Sequence, residues 1–217
     1  MTPLRARREE QFSTAGVYPV ITPEFCAGRD PVWVAQELVA AGARVIQLRV
    51  KSQPDGVFYD LAVEFRRITA DAGCLLIVND RPDLALAVDA DGVHVGQGDL
   101  PVAVVRRLLP DALVNLSTHH REELLAAQRE DVSCVNIGPI YATGTKVNPM
   151  APLGVDALRE LVPLVRVPFS VMGGIKEPHL PGLVAVGVQV VAMVTQLTQA
   201  EHPGEVFSRM QAVLRGQ

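Results

Sequence analysis

Three polar residues at alternate positions, Gln47, Arg49 and Lys51, close an apolar run that ends QLRVK at 47–51. In an extended strand that spacing turns all three to one side. An arginine and a lysine there are costly to bury unless an anion pairs with them. They read either as an anion site or as a solvated strand end carrying surface salt bridges. Two carboxylates hold comparable positions, Asp80 directly after Asn79 and Asp99 at the end of GQGD at 96–99. Each also has a local role open to it: Asn79 and Asp80 as an Asx turn, Asp99 as the N-cap of a helix opening at Pro101. Side by side near Arg49 and Lys51, the two carboxylates suit Mg2+ bridging a polyphosphate, since Mg2+ takes a few carboxylates and fills its shell with water and phosphate oxygens.

A second group of residues suits a phosphate. GPIYATGTK at 138–146 follows a short apolar run and sets Thr143, Gly144, Thr145 and Lys146 in succession. Hydroxyls and backbone N–H groups donate hydrogen bonds, and a lysine supplies a point charge; a solvated turn is the other reading. Gly173 and Gly174 end another apolar run, and Val194 and Thr195 end the last. Ser117 is followed by Thr118, His119 and His120, where a histidine is either an acid–base group or a solvated loop residue. His94 falls inside a strand pattern and reads as a barrel histidine. His179 and His202 read as helix-start or loop residues.

These groups need a scaffold that gathers strand ends. Strand patterns fall at 17–21, 43–50, 74–78, 92–95, 113–116, 133–137, 168–172 and 188–194. CLLIV at 74–78 is apolar throughout, as expected of a strand covered on both faces. Pro19 weakens the first pattern. Helical patterns alternate with the strands, the first opened by Asp30 as N-cap and Pro31 in the first turn and running to about residue 41; the rest fall around 58–68, 83–88, 101–109, 122–130, 155–164, 179–186 and 205–214. A doubly wound sheet alternates in the same way. The count of eight, with polar motifs at nearly every strand end, favours a (β/α)8 barrel, whose strand C-termini share one mouth. Residues 1–16, MTPLRARREEQFSTAG, read as a frayed arm or a short extra helix, and 17–217 as the single barrel domain.

The 217 residues carry 48% hydrophobic side chains, enough for a large core, and a net charge of -4. That charge gives no reason to expect nucleic acid or an anionic membrane as a partner. The three cysteines, Cys26, Cys74 and Cys134, are widely spaced, odd in number and without zinc-ligand spacing. They suit a reducing, cytoplasmic setting. The charged start lacks the apolar stretch of a signal peptide, and no apolar run is long enough to span a membrane. The sequence leaves open whether the chain forms a homo-oligomer.

QLRVK at 47–51, Asn79 and Asp80, DGVHVGQGD at 91–99, GPIYATGTK at 138–146 and GGI at 173–175 occur in the order of a known family. From residue 17 onward the chain resembles the thiamin phosphate synthases. The resemblance implies a (β/α)8 barrel that uses Mg2+ to join a hydroxymethylpyrimidine diphosphate to a thiazole phosphate (or its carboxylate), with release of pyrophosphate. It implies that Gln47, Arg49, Lys51, Asn79, Ser117 and Lys146 hold the pyrimidine diphosphate, and that Asp80 and Asp99 carry the metal. Thr143, Gly144, Thr145, Gly174, Val194 and Thr195 would hold the thiazole phosphate. The partners implied are small phosphorylated molecules. The chain departs from the family pattern at Val50 (often Glu), Ala142 (often Pro), Gln189 (often Asp) and Thr195 (usually Ser). Sister proteins, the thiazole tautomerases, share the barrel and use a histidine at the position of His119. A non-catalytic sensor of thiamin precursors is the third reading, and it would need neither Asp80 nor Asp99.

Overall fold

The computed structural model describes residues 1–145 and 150–216. Among them, eight parallel strands close on themselves in sequential order: β1 (Val17–Ile21), β2 (Val45–Leu48), β3 (Leu75–Asn79), β4 (Gly92–Val95), β5 (Leu113–Thr118), β6 (Cys134–Ile137), β7 (Phe169–Val171) and β8 (Val191–Met193). Pairing of β1 with β8 completes the ring. Helices follow the strands: α1 (Pro3–Ser13) precedes β1, then come α2 (Pro31–Ala40), α3 (Asp55–Ala72), α4 (Pro82–Ala87), α5 (Val102–Leu108), α6 (Arg121–Ala127), α7 (Gly154–Leu161), α8 (Leu180–Ala185), α9 (Thr195–Thr198) and α10 (Pro203–Leu214). The fold is a (β/α)8 barrel with a short N-terminal helix. None of the described helices is long and apolar enough to cross a membrane.

Strand alternation divides the core in two. Leu76 and Val78 of β3 face outward into the layer beneath the helices, whereas Leu75 and Ile77 face into the barrel with Val20, Val45, Leu113 and Cys134. The apolar run of β3 is thus buried on both faces, as its composition predicts. Gly92 opens β4 because the interior is already filled there; a Cβ would lie 2.6 Å from the Leu113 carbonyl oxygen. Four strands are shorter than their sequence patterns, β6 by one residue and β7 by two. Strand β2 covers 45–48 rather than 43–50, and β8 covers 191–193 rather than 188–194. Pro19 sits within β1, in register with Met193.

The first residues form a docked helix and are not frayed. Asp30 caps α2 as expected, its side chain accepting from Val32 N–H at 2.8 Å; Thr2 does the same for α1. Phe12 is buried inside the barrel end, edge-on to Tyr18. Arg5 pairs with Glu9 and Asp131 and donates to the Val132 carbonyl, while Arg8 pairs with Asp91. Gln11 donates to the Arg44 and Gly73 carbonyls. These partners all precede strands, so α1 closes the barrel end opposite the mouth. At the same end Gln211 of α10 accepts from Val17 N–H at 2.7 Å and donates to the Ala15 carbonyl.

Candidate active site

Two adjoining cavities occupy the C-terminal mouth. The first gathers Gln47, Arg49, Lys51, Asn79, Asp80, Asp99 and Ser117 from the ends of β2 to β5. Gln47 lies in β2, and Arg49 and Lys51 follow its last residue, yet all three line this cavity as the alternate spacing predicts. The buried Gln47 amide donates to the Tyr18 hydroxyl at 2.7 Å, which leaves its carbonyl oxygen as an acceptor. Arg49 is half-buried, and its guanidinium makes no hydrogen bond or salt bridge among the described residues. Burial lowers its pKa, opposed by the carboxylates of Asp80 and Glu24. A desolvated cation facing an open cleft favours an anion there.

Lys51 forms a salt bridge with Asp80. Asp80 adopts a left-handed backbone, φ 60°, and donates its N–H to the His94 carbonyl at 2.7 Å. This conformation is strained for a residue with a side chain and turns the carboxylate into the cleft. Asp99 accepts from Gly96 N–H at 2.7 Å. Its pKa is raised by partial desolvation and by the neighbouring Asp80 carboxylate, although Asp99 itself is exposed and Asp80 half-buried. The Asn79 side-chain nitrogen is buried without a hydrogen-bond partner and lines the same cleft. The Ser117 hydroxyl lies 2.8 Å from His94 Nε2.

The second cavity lies between the loops after β6, β7 and β8, lined by Thr143, Thr145, Gly174, Val194 and Thr195. The Thr143 and Thr145 hydroxyl oxygens are 3.0 Å apart. The β6 and β7 loops are bonded together, Ile140 N–H to the Met172 carbonyl at 2.8 Å and Tyr141 N–H to the Gly173 carbonyl at 2.9 Å. Gly174 has φ 60°, and a Cβ would sit 2.2 Å from the Ala142 carbonyl oxygen. Glycine is therefore required where these loops meet. Thr195 opens α9, where the Leu197 and Thr198 N–H groups both donate to the Val194 carbonyl at 3.0 Å. Ser117, Thr145 and Val194 line both cavities.

Gly144 is exposed and lines neither cavity, and Lys146 lies outside the described residues. Sequence reasoning missed three groups at the mouth. His94, read as a barrel histidine, lines the first cavity through its contact with Ser117. Helix α9 is too short for a periodic pattern. Lys176, only three residues after Gly173, lines the second cavity. His119 lines both cavities, its Nδ1 2.8 Å from Glu123 Oε2, an oxygen that also accepts the His119 N–H at 2.7 Å.

A family profile described as thiamine monophosphate synthase matches residues 17–197. The chain belongs to the thiamine monophosphate synthase family. A thiamine-phosphate synthase from Pelotomaculum thermopropionicum is 39% identical, over 97% of each chain. One from Shouchella clausii is 37% identical, over 91% of this chain and 94% of the relative. The solved structure of a thiamine phosphate pyrophosphorylase from Pyrococcus furiosus superimposes with a TM-score of 0.85 at 27% identity, covering 94% of this chain and 98% of the other. Like other members of the thiamine monophosphate synthase family, the chain is an enzyme, a transferase. The matched span runs from the first residue of β1 into α9 and so contains all eight strand ends, whereas α1 lies outside it.

Proposed function

We propose that the protein joins a 4-amino-2-methyl-5-hydroxymethylpyrimidine diphosphate to 4-methyl-5-(2-phosphoethyl)thiazole, forming thiamin phosphate and pyrophosphate. One observation carries this reading: a cleft bearing cations and a carboxylate pair opens into a hydroxyl- and glycine-lined cavity, and Ser117, Thr145 and Val194 belong to both. A diphosphate and a monophosphate would then lie in neighbouring compartments, with their rings between them.

The first compartment fits Mg2+. Asp80 and Asp99 face each other closely enough for Asp80 to raise the Asp99 pKa. No third acidic, histidine or cysteine ligand joins them among the described residues, which suits a cation that completes its shell with water and phosphate oxygens. Bound between these two carboxylates, Mg2+ would neutralise charge on the diphosphate leaving group. Arg49 and Lys51 would do the same from β2, with the Asn79 amide and the Ser117 hydroxyl as hydrogen-bond donors and Lys146 as a further cation. The Gln47 carbonyl oxygen, left as an acceptor by the bond to Tyr18, suits the amino group of the pyrimidine.

In the reaction the pyrimidine methylene–oxygen bond breaks and its electron pair leaves with pyrophosphate. The thiazole nitrogen lone pair then forms the new carbon–nitrogen bond. The protein needs no nucleophile of its own. It has to stabilise the departing charge and hold the acceptor in line. Pyrophosphate release from the purified protein tests this reading: it should require both substrates and stop with chelator. Release from the pyrimidine diphosphate alone, or none at all, sinks it. A second reading, isomerisation of a thiazole carboxylate phosphate, draws on the His119–Glu123 contact at 2.8 Å. It requires His119→Ala to abolish turnover of that carboxylate.

A further inference from the structure

The second cavity contains hydroxyls and glycine backbone, yet a phosphate monoester at neutral pH carries close to two negative charges. Lys176 is the one Lys or Arg side chain that lines it among the described residues. Its ammonium makes no salt bridge there, and the adjacent Glu177 is drawn away by Arg209 of α10, 3.2 Å distant. The loop carrying Lys176 is also fixed in place. Its backbone N–H donates to His179 Nδ1 at 3.0 Å. The His179 ring stacks on Tyr141 of the β6 loop, with centroids 3.9 Å apart and planes 20° apart. The stack thus joins the two loops that form the cavity, immediately beside the Tyr141–Gly173 backbone bond.

We propose that Lys176 is the cation that recognises the monophosphate of the acceptor substrate, and that His179 positions it. The inference rests on the thiazole phosphate being the occupant of this cavity. A lysine on a fixed backbone reaches the phosphate as a mobile point charge, while the threonines and glycine amides define the geometry of the oxygens.

Calorimetric titration with 4-methyl-5-(2-phosphoethyl)thiazole and with the corresponding unphosphorylated alcohol tests it. Lys176→Met should weaken binding of the phosphate about tenfold and leave the alcohol unchanged, with Lys176→Arg restoring most of the loss. His179→Ala should show the same phosphate-selective loss. His179→Asn, whose side-chain oxygen can accept the Lys176 N–H, should recover it. If Lys176→Met binds the phosphate as tightly as the parent, the inference falls, whether or not the parent releases pyrophosphate. If His179→Ala weakens phosphate and alcohol equally, the positioning role falls. A parent that binds the phosphate about tenfold better than Lys176→Met yet releases no pyrophosphate keeps the inference and overturns the synthase reading.

Discussion

Asp99 and Asp80 oppose each other, and the cost shows in the raised Asp99 pKa, which has partial desolvation as its main cause and the Asp80 charge as a further one. Asp99→Asn removes that repulsion and keeps an oxygen for the Gly96 N–H. The variant should therefore unfold at the same temperature as the metal-free parent or higher, while pyrophosphate release drops by a few hundredfold, about 3–4 kcal/mol of barrier. A lower melting temperature with intact turnover would contradict both halves. Tyr18 is the converse case, a residue that supports the site from within the barrel. Tyr18→Phe strands the buried Gln47 amide, at a cost of about 1–3 kcal/mol, and should raise the KM for the pyrimidine diphosphate; an unchanged KM would separate Gln47 from that substrate. The Gln47, Arg49 and Lys51 set was legible because alternation is local. Tyr18 was not, because its partner is 29 residues away and a tyrosine inside a strand looks like any other core residue.

The strand and helix alternation was legible in the periodicity, and Asp30 with Pro31 marked the start of α2 correctly. The docking of α1 was not, since its anchors are charged: Arg5 and Arg8 reach Asp131 and Asp91 across 126 and 83 residues, and no local pattern records this. The hydrogen bond from Arg5 holds the Asp131 carboxyl below its ordinary value. A depressed carboxylate pKa adds stability above its unfolded value, near pH 4, and the contribution is lost as pH falls through the folded value. Hydrogen exchange in α1 should therefore quicken, relative to the barrel strands, as pH falls below about 4; parallel rates throughout would show that the contact contributes nothing. The meeting of the β6 and β7 loops gives another test. Gly174→Ala forces a left-handed backbone that costs about 1–2 kcal/mol and pushes a methyl against the Ala142 carbonyl. Its effect should appear as weaker thiazole phosphate binding, with pyrimidine diphosphate binding retained. Loss of both together would indicate general unfolding.

At the scale of the whole molecule, the barrel has one open end and one closed end. All three cysteines are buried and free. Burial pushes the Cys26 thiol up to about 11 and the Cys74 thiol up to about 12, and raises Cys134 well above its ordinary value. The folded protein should take up no thiol reagent at about pH 8, and the denatured chain should react at all three positions. Cys134 shares the interior cluster with Phe12, so deleting residues 1–14 should make it the first to react; reaction at Cys26 instead would show that α1 does not close that end. The position of α1 in the chain also bears on the order of assembly. Its docking partners at Asp91, Asp111, Asp131 and Val132 all come after it in the sequence. Until β6 has been made, Phe12 has no complete pocket and Arg5 no carboxylate across the barrel. A chain released before residue 131 would lack the Asp131 and Val132 partners of Arg5, so the docking of α1 is completed only once that stretch has been made.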